Sequence, residues 1–143
     1  MELYTTDIVI IITGILGSLI TYIINNNFKQ GGVRASAMPS LVVGLFFYLF
    51  PEVLSPYLTH QIPLVFIGAS FVGMVSNQLL HQHIFVGLAG LIFAITYINT
   101  GTFFKGFGGA LGTTACIAIL TATGLANLLK HKGIKRKKNV ENN

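Results

Sequence analysis

Charge is scarce in this chain: 9% of its 143 residues are Asp, Glu, Lys or Arg, where an ordinary globular domain carries about a quarter. So few charges cannot clothe a water-facing surface, and a content of 52% hydrophobic residues places the chain in lipid. Carboxylates are the scarcest group. The four are Glu2, Asp7, Glu52 and Glu141, and none lies deep in an apolar run. Proton- and sodium-driven carriers commonly hold an intramembrane carboxylate, so its lack argues against that mechanism, although hydroxyls and backbone carbonyls also coordinate ions.

Other absences narrow the chemistry. One cysteine, Cys116, excludes an intrachain disulfide. His81 and His83, two residues apart, point in different directions on a helix and have no cysteine or carboxylate near them, so a metal site is not expected. No paired carboxylates and no Ser/His/Asp set stand at a useful spacing, so neither an enzyme nor a cofactor is expected. "GFGGALG" at 106–112 looks superficially like a dinucleotide loop, but no strand precedes it and no acidic residue follows at the required distance.

What is present is a series of long apolar runs. Between Ile8 and Leu129 the charged residues are Lys29, Arg34, Glu52 and Lys105. They divide the chain into five expected membrane helices, at 8–24, 32–50, 62–80, 84–98 and 108–129. A helix rising about 1.5 Å per residue needs about 20 residues to cross a hydrocarbon core of about 30 Å. The first and fourth runs are shorter, so each must recruit polar flanking residues or stop inside the bilayer. The first is read as a mature helix, because "MELYTTD" carries no basic residue and no small-residue cleavage pattern follows.

The expected fold is therefore an all-α integral membrane protein with a single transmembrane domain, 1–129, and a basic tail, 130–143. That tail holds six of the nine Lys and Arg residues, which places the C-terminus in the cytoplasm and, with five spans, the N-terminus outside. Contact with anionic lipid headgroups accounts for the tail, and no nucleic-acid partner is expected. Size and composition suit a bacterial inner (plasma) membrane.

A faint internal repeat gives the chain its functional hint. Gly14 and Gly17 match Gly87 and Gly90; Thr21, Tyr22 and Ile23 match Thr96, Tyr97 and Ile98. Phe28 and Lys29 match Phe104 and Lys105, Gly31 and Gly32 match Gly108 and Gly109, and Ser36 and Ala37 match Thr113 and Thr114, with an offset drifting from 73 to 77. The units are 8–50 and 84–129, and the linking helix at 62–80 inverts one relative to the other. Inverted two-helix repeats of this kind around a central third helix build the substrate sites of many transporters.

Each repeat opens its second helix with Gly-Gly, where free amides and the positive end of the dipole need a partner. The candidate substrate-binding residues are Gly31, Gly32, Gly108 and Gly109, with the hydroxyls of Ser36, Thr113 and Thr114. If both short spans stop within the bilayer, the two starts meet from opposite faces and suit an anion. Arg34 biases the site the same way. On the third helix, Ala69 and Gly73 form a small-residue packing stripe, and Ser70 and Asn77, seven apart, share a face that could line a path.

The expected function is a channel or transporter for a small ion or polar solute, weakly favouring an anion. One copy offers little interior, so a homo-oligomer, most simply a dimer, is expected. The alternative is a non-transporting membrane subunit that packs with and docks an unidentified partner protein.

Overall fold

The computed structural model describes residues 2–29, 31–80, 82–100 and 109–141. Five helices follow one another: α1 (Glu2–Asn27), α2 (Gly32–Leu49), α3 (Pro56–Gly73), α4 (His83–Thr100) and α5 (Ala110–Glu141). Among the described residues, α1, α2, α4 and α5 are long and apolar enough to cross a membrane. The protein is thus all-helical, and its composition fits a membrane location.

The helix bounds decide between the two alternatives for the first span and correct the expectation for the third. α1 is one unbroken helix of 26 residues, about 39 Å long, because the polar leader and the Asn-rich segment both join it. It does not stop halfway. The expected helix at 62–80 is displaced instead: α3 begins at Pro56, a residue suited to a helix start, and ends at Gly73. The Met74 amide donates to the Ser70 carbonyl at 3.1 Å, and a turn around Ser76 follows, with the Leu79 amide donating to the Ser76 carbonyl at 2.9 Å. At the C-terminal end, α5 runs on through the basic segment to Glu141.

α3 is the hub. It packs against all four other helices, and nine of its 18 residues are buried. Small residues permit the close approach. A β-carbon added at Gly17 would lie 3.1 Å from Ala69 Cβ, and one added at Gly73 would press on the Ser18 carbonyl and lie 2.6 Å from Thr21 Cβ. Ala69 and Gly73 therefore serve as the packing stripe. On the other side, Ala115, Ala118 and Ala122 of α5 join Val65, Val72, Ala89 and Phe93 in the main apolar cluster.

Residue numbers rise together across the α1/α3 contact, and fall against each other where Gly14 and Ser18 meet Gly90 and Val86. α1 and α3 are therefore parallel, and α4 is antiparallel to them. α2 opposes α3, since Gly32 meets Met74 and Ser36 meets Ser70.

The pattern of neighbours is unchanged when α1 and α2 are exchanged with α4 and α5: α1 and α4 touch each other and α3, and α2 and α5 each touch α3 and their own partner. At the level of residues the two halves differ. Gly17 packs on α3, whereas its sequence counterpart Gly90 packs on Gly14 and Ser18 of α1.

Candidate functional site

In a hydrocarbon setting the informative groups are buried hydroxyls, because each must find a partner or be left at a cost. Many threonine hydroxyls, exposed ones among them, turn back onto their own helix. Thr13, Thr96, Thr100, Thr113, Thr114 and Thr121 each donate to the carbonyl four residues earlier, at 2.6–2.9 Å. Ser18 donates to the Ile15 carbonyl at 2.9 Å. These hydroxyls are satisfied and offer little to a solute.

Among the described residues three hydroxyl oxygens, those of Thr21, Ser40 and Thr123, are buried with no hydrogen-bond partner, and the seam between α2 and α3 adds a buried serine pair beside one of them. Ser36, 5% exposed, lies with its Oγ 2.6 Å from Oγ of Ser70, which is fully buried. Ser70 Oγ is also 2.6 Å from the Ile67 carbonyl oxygen. One turn beyond Ser36 on α2, the Ser40 hydroxyl oxygen is buried and has no hydrogen-bond partner. Between the two serines stands Pro39, which has no N–H to give to the carbonyl of Ala35. Two hydroxyls thus meet between α2 and α3, and one turn along α2 from them lie the unpartnered Ser40 hydroxyl and a carbonyl that Pro39 cannot serve.

Local sequence explains how α2 reaches this position. Gly31 takes φ +83°, a backbone region that other residues avoid, and its carbonyl accepts from the Ala35 amide at 3.0 Å. That turn brings Gly32 against Met74, with a 3.5 Å approach for an added β-carbon. Only Ala35 and Ser36 of α2 are buried, so the seam is also the main attachment of α2.

The candidate residues named from sequence distribute as follows. Ser36 and Ser70 meet in the seam and Gly32 stands against Met74 beside it, whereas Gly31 is exposed with open space around it. Arg34 is exposed, and standing two residues before Ser36, about 200° around the helix, it points away from the seam. Asn77 does not share a helical face with Ser70, because α3 ends before it. It is exposed in the following turn, where its Oδ1 accepts from the Tyr22 hydroxyl at 2.9 Å. Gly109, Thr113 and Thr114 stand at the start of α5, with Gly109 and Thr113 exposed and Thr114 buried. Gly108 lies outside the described residues, as do Lys105 and His81.

The two helix starts do not meet. α2 and α5 share no contact. α2 meets α3 at Ser70 and Met74, while Leu111 of α5 comes to Gly68 beside Phe93, on another face of α3. Within one copy of the chain, the described start of α5 therefore does not join that of α2 in a shared site.

Sequence reasoning missed Ser40 and Tyr22. The spacing Ser36-x-x-Pro39-Ser40 was a legible signal, since it puts two hydroxyls one turn apart around a missing N–H. Tyr22 had none: its hydroxyl donates to the Leu80 carbonyl at 2.6 Å, a contact 58 residues distant in sequence. Among the described residues no three His, Cys, Asp or Glu side chains stand close enough to hold a metal ion. Comparison with protein families, with characterised proteins and with solved structures finds no match, so the reading rests on the chain itself.

Proposed function

We propose that this chain is the subunit of a small membrane channel or transporter, acting as a homo-oligomer, most simply a dimer. The observation that supports this is the seam of Ser36, Ser40 and Ser70. Polar groups that are left incompletely satisfied within a transmembrane bundle commonly mark a solute path. The exchange-symmetric neighbour pattern around α3 also accords with an inverted repeat, the architecture of many carriers. In this reading the protein sits in the plasma membrane with its N-terminus outside, and the basic end of α5 lies in the cytoplasm against anionic headgroups. No catalysis is involved.

The test is solute flux into liposomes containing the purified protein, across a panel of small anions, cations and neutral solutes. Selective flux above that of empty liposomes is expected. A well-folded protein that passes nothing would contradict the reading.

One observation favours the alternative of a non-transporting subunit. α2 exposes Val33, Met38, Leu41, Val42, Leu45 and Phe46, an apolar face that a partner protein would cover as well as lipid does. Co-purification of a stoichiometric partner supports that alternative, and a stable homo-oligomer in mild detergent counts against it.

A further inference from the structure

We propose that the α2/α3 seam takes a small uncharged solute bearing O–H or N–H groups, which binds by donating a hydrogen bond to the Ser36 hydroxyl oxygen. This deepens the transport reading and rests on it.

The direction of the hydrogen bonds carries the argument. The Ile67 carbonyl can only accept, and Ser70 Oγ lies 2.6 Å from it, so the single Ser70 proton is committed there. In the 2.6 Å contact between the serines, Ser36 is then the donor. The chain runs from Ser36 to Ser70 to Ile67 and begins at an oxygen that has given its proton and still holds an acceptor site. Nearby, the Ala35 carbonyl is an acceptor to which Pro39 has no N–H to offer. The Ser40 hydroxyl, buried and unpartnered, adds one donor and an acceptor site.

That inventory discriminates between guests. An anion needs several convergent donors, and the seam has one free proton, on Ser40. A cation suits the acceptors, but α2 and α3, which form the seam, contain no carboxylate, and the positive end of the α2 dipole stands one turn away at Gly32. An uncharged molecule that donates to Ser36 or Ala35 and accepts from Ser40 meets the inventory without placing a charge in hydrocarbon.

One turn beyond Ser40 on α2, a β-carbon added at Gly44 would meet no atom within 4 Å, so α2 is unpacked at that level.

Glycerol and urea are the probes. Their entry into proteoliposomes is followed by stopped-flow light scattering, and chloride and potassium flux is measured in the same preparations. The variants are Ser36→Ala, Ser40→Ala and Gly44→Leu, each checked for wild-type elution in detergent. Wild-type protein is expected to pass glycerol or urea while chloride and potassium stay at the level of empty liposomes. Ser36→Ala and Ser40→Ala should each slow neutral entry about fivefold, the scale of one hydrogen bond, and Gly44→Leu should abolish it.

Ion flux without glycerol or urea entry overturns this inference and leaves the transport reading standing. No flux of any kind overturns both. Neutral entry that all three variants leave unchanged overturns the assignment to the seam. If Ser36→Ala does not fold, Ser40→Ala and Gly44→Leu decide the matter, because neither removes an existing contact.

Discussion

Gly14 and Gly90 face each other where α1 crosses α4: a β-carbon on Gly90 would lie 2.7 Å from the Gly14 carbonyl oxygen, and one on Gly14 would lie 3.0 Å from that of Gly90. The obstruction on both sides is backbone, so neither can yield by a side-chain rotation. Gly90→Ala also presses on the Ser18 hydroxyl. It should destabilise the protein by about 1–3 kcal/mol, the usual scale of overpacking. Gly124→Ala, where nothing lies within 4 Å, should be neutral. Thermal unfolding of the two variants in the same detergent makes the comparison.

The glycines that open α2 and α5 should respond differently to substitution. Gly31 has φ +83°, whereas a β-carbon on Gly109 meets nothing within 4 Å. Gly31→Ala should therefore lose about 1–2 kcal/mol through backbone strain, while Gly109→Ala leaves the melting temperature unchanged. Equal losses at the two positions would contradict the backbone assigned to the α2 start.

Ser36 and Ser70 should couple energetically. Interhelical hydrogen bonds in membrane proteins average about 0.6 kcal/mol in double-mutant cycles. Ser36→Ala, Ser70→Ala and the double variant, compared by reversible unfolding in mixed micelles, should give an interaction of that size. Strict additivity would mean that the two hydroxyls do not bond.

The turn after α3 should loosen when Tyr22 loses its hydroxyl. Besides the bond from Tyr22 to the Leu80 carbonyl, Asn25 Nδ2 donates to the Met74 carbonyl at 3.1 Å, and Asn26 Oδ1 accepts from the Asn77 amide at 3.2 Å. Tyr22→Phe removes the hydroxyl whose proton the Leu80 carbonyl and Asn77 Oδ1 share, a loss of about 1 kcal/mol. Hydrogen exchange should then rise about fivefold in residues 74–80 and stay constant in α3.

The five helices were legible as apolar runs, and four of them are long and apolar enough to cross a membrane. The end of α3 was not. The run from 62 to 80 reads as one apolar stretch, and what stops it after Gly73 is tertiary: the Asn25, Asn26 and Tyr22 side chains claim the backbone of the following turn. Ser36 and Ser70 were each visible as candidates, but their pairing spans 34 residues and follows from helix placement. The meeting of Gly32 with Gly109 failed for the same reason. The sequence match between the two Gly-Gly starts does not say which face of α3 each will take.

The most direct test of the account is a reversible lock on the seam. Ser36→Cys and Ser70→Cys are combined with Cys116→Ala, which removes the one native thiol, exposed on α5. Hydroxyls 2.6 Å apart mark a pair of positions close enough for a disulfide. Glycerol and urea entry into proteoliposomes is then measured in the oxidised state and after reduction. The account predicts that the disulfide forms readily, blocks entry, and releases it on reduction. Failure of the thiols to join, or full flux through oxidised protein, would contradict it.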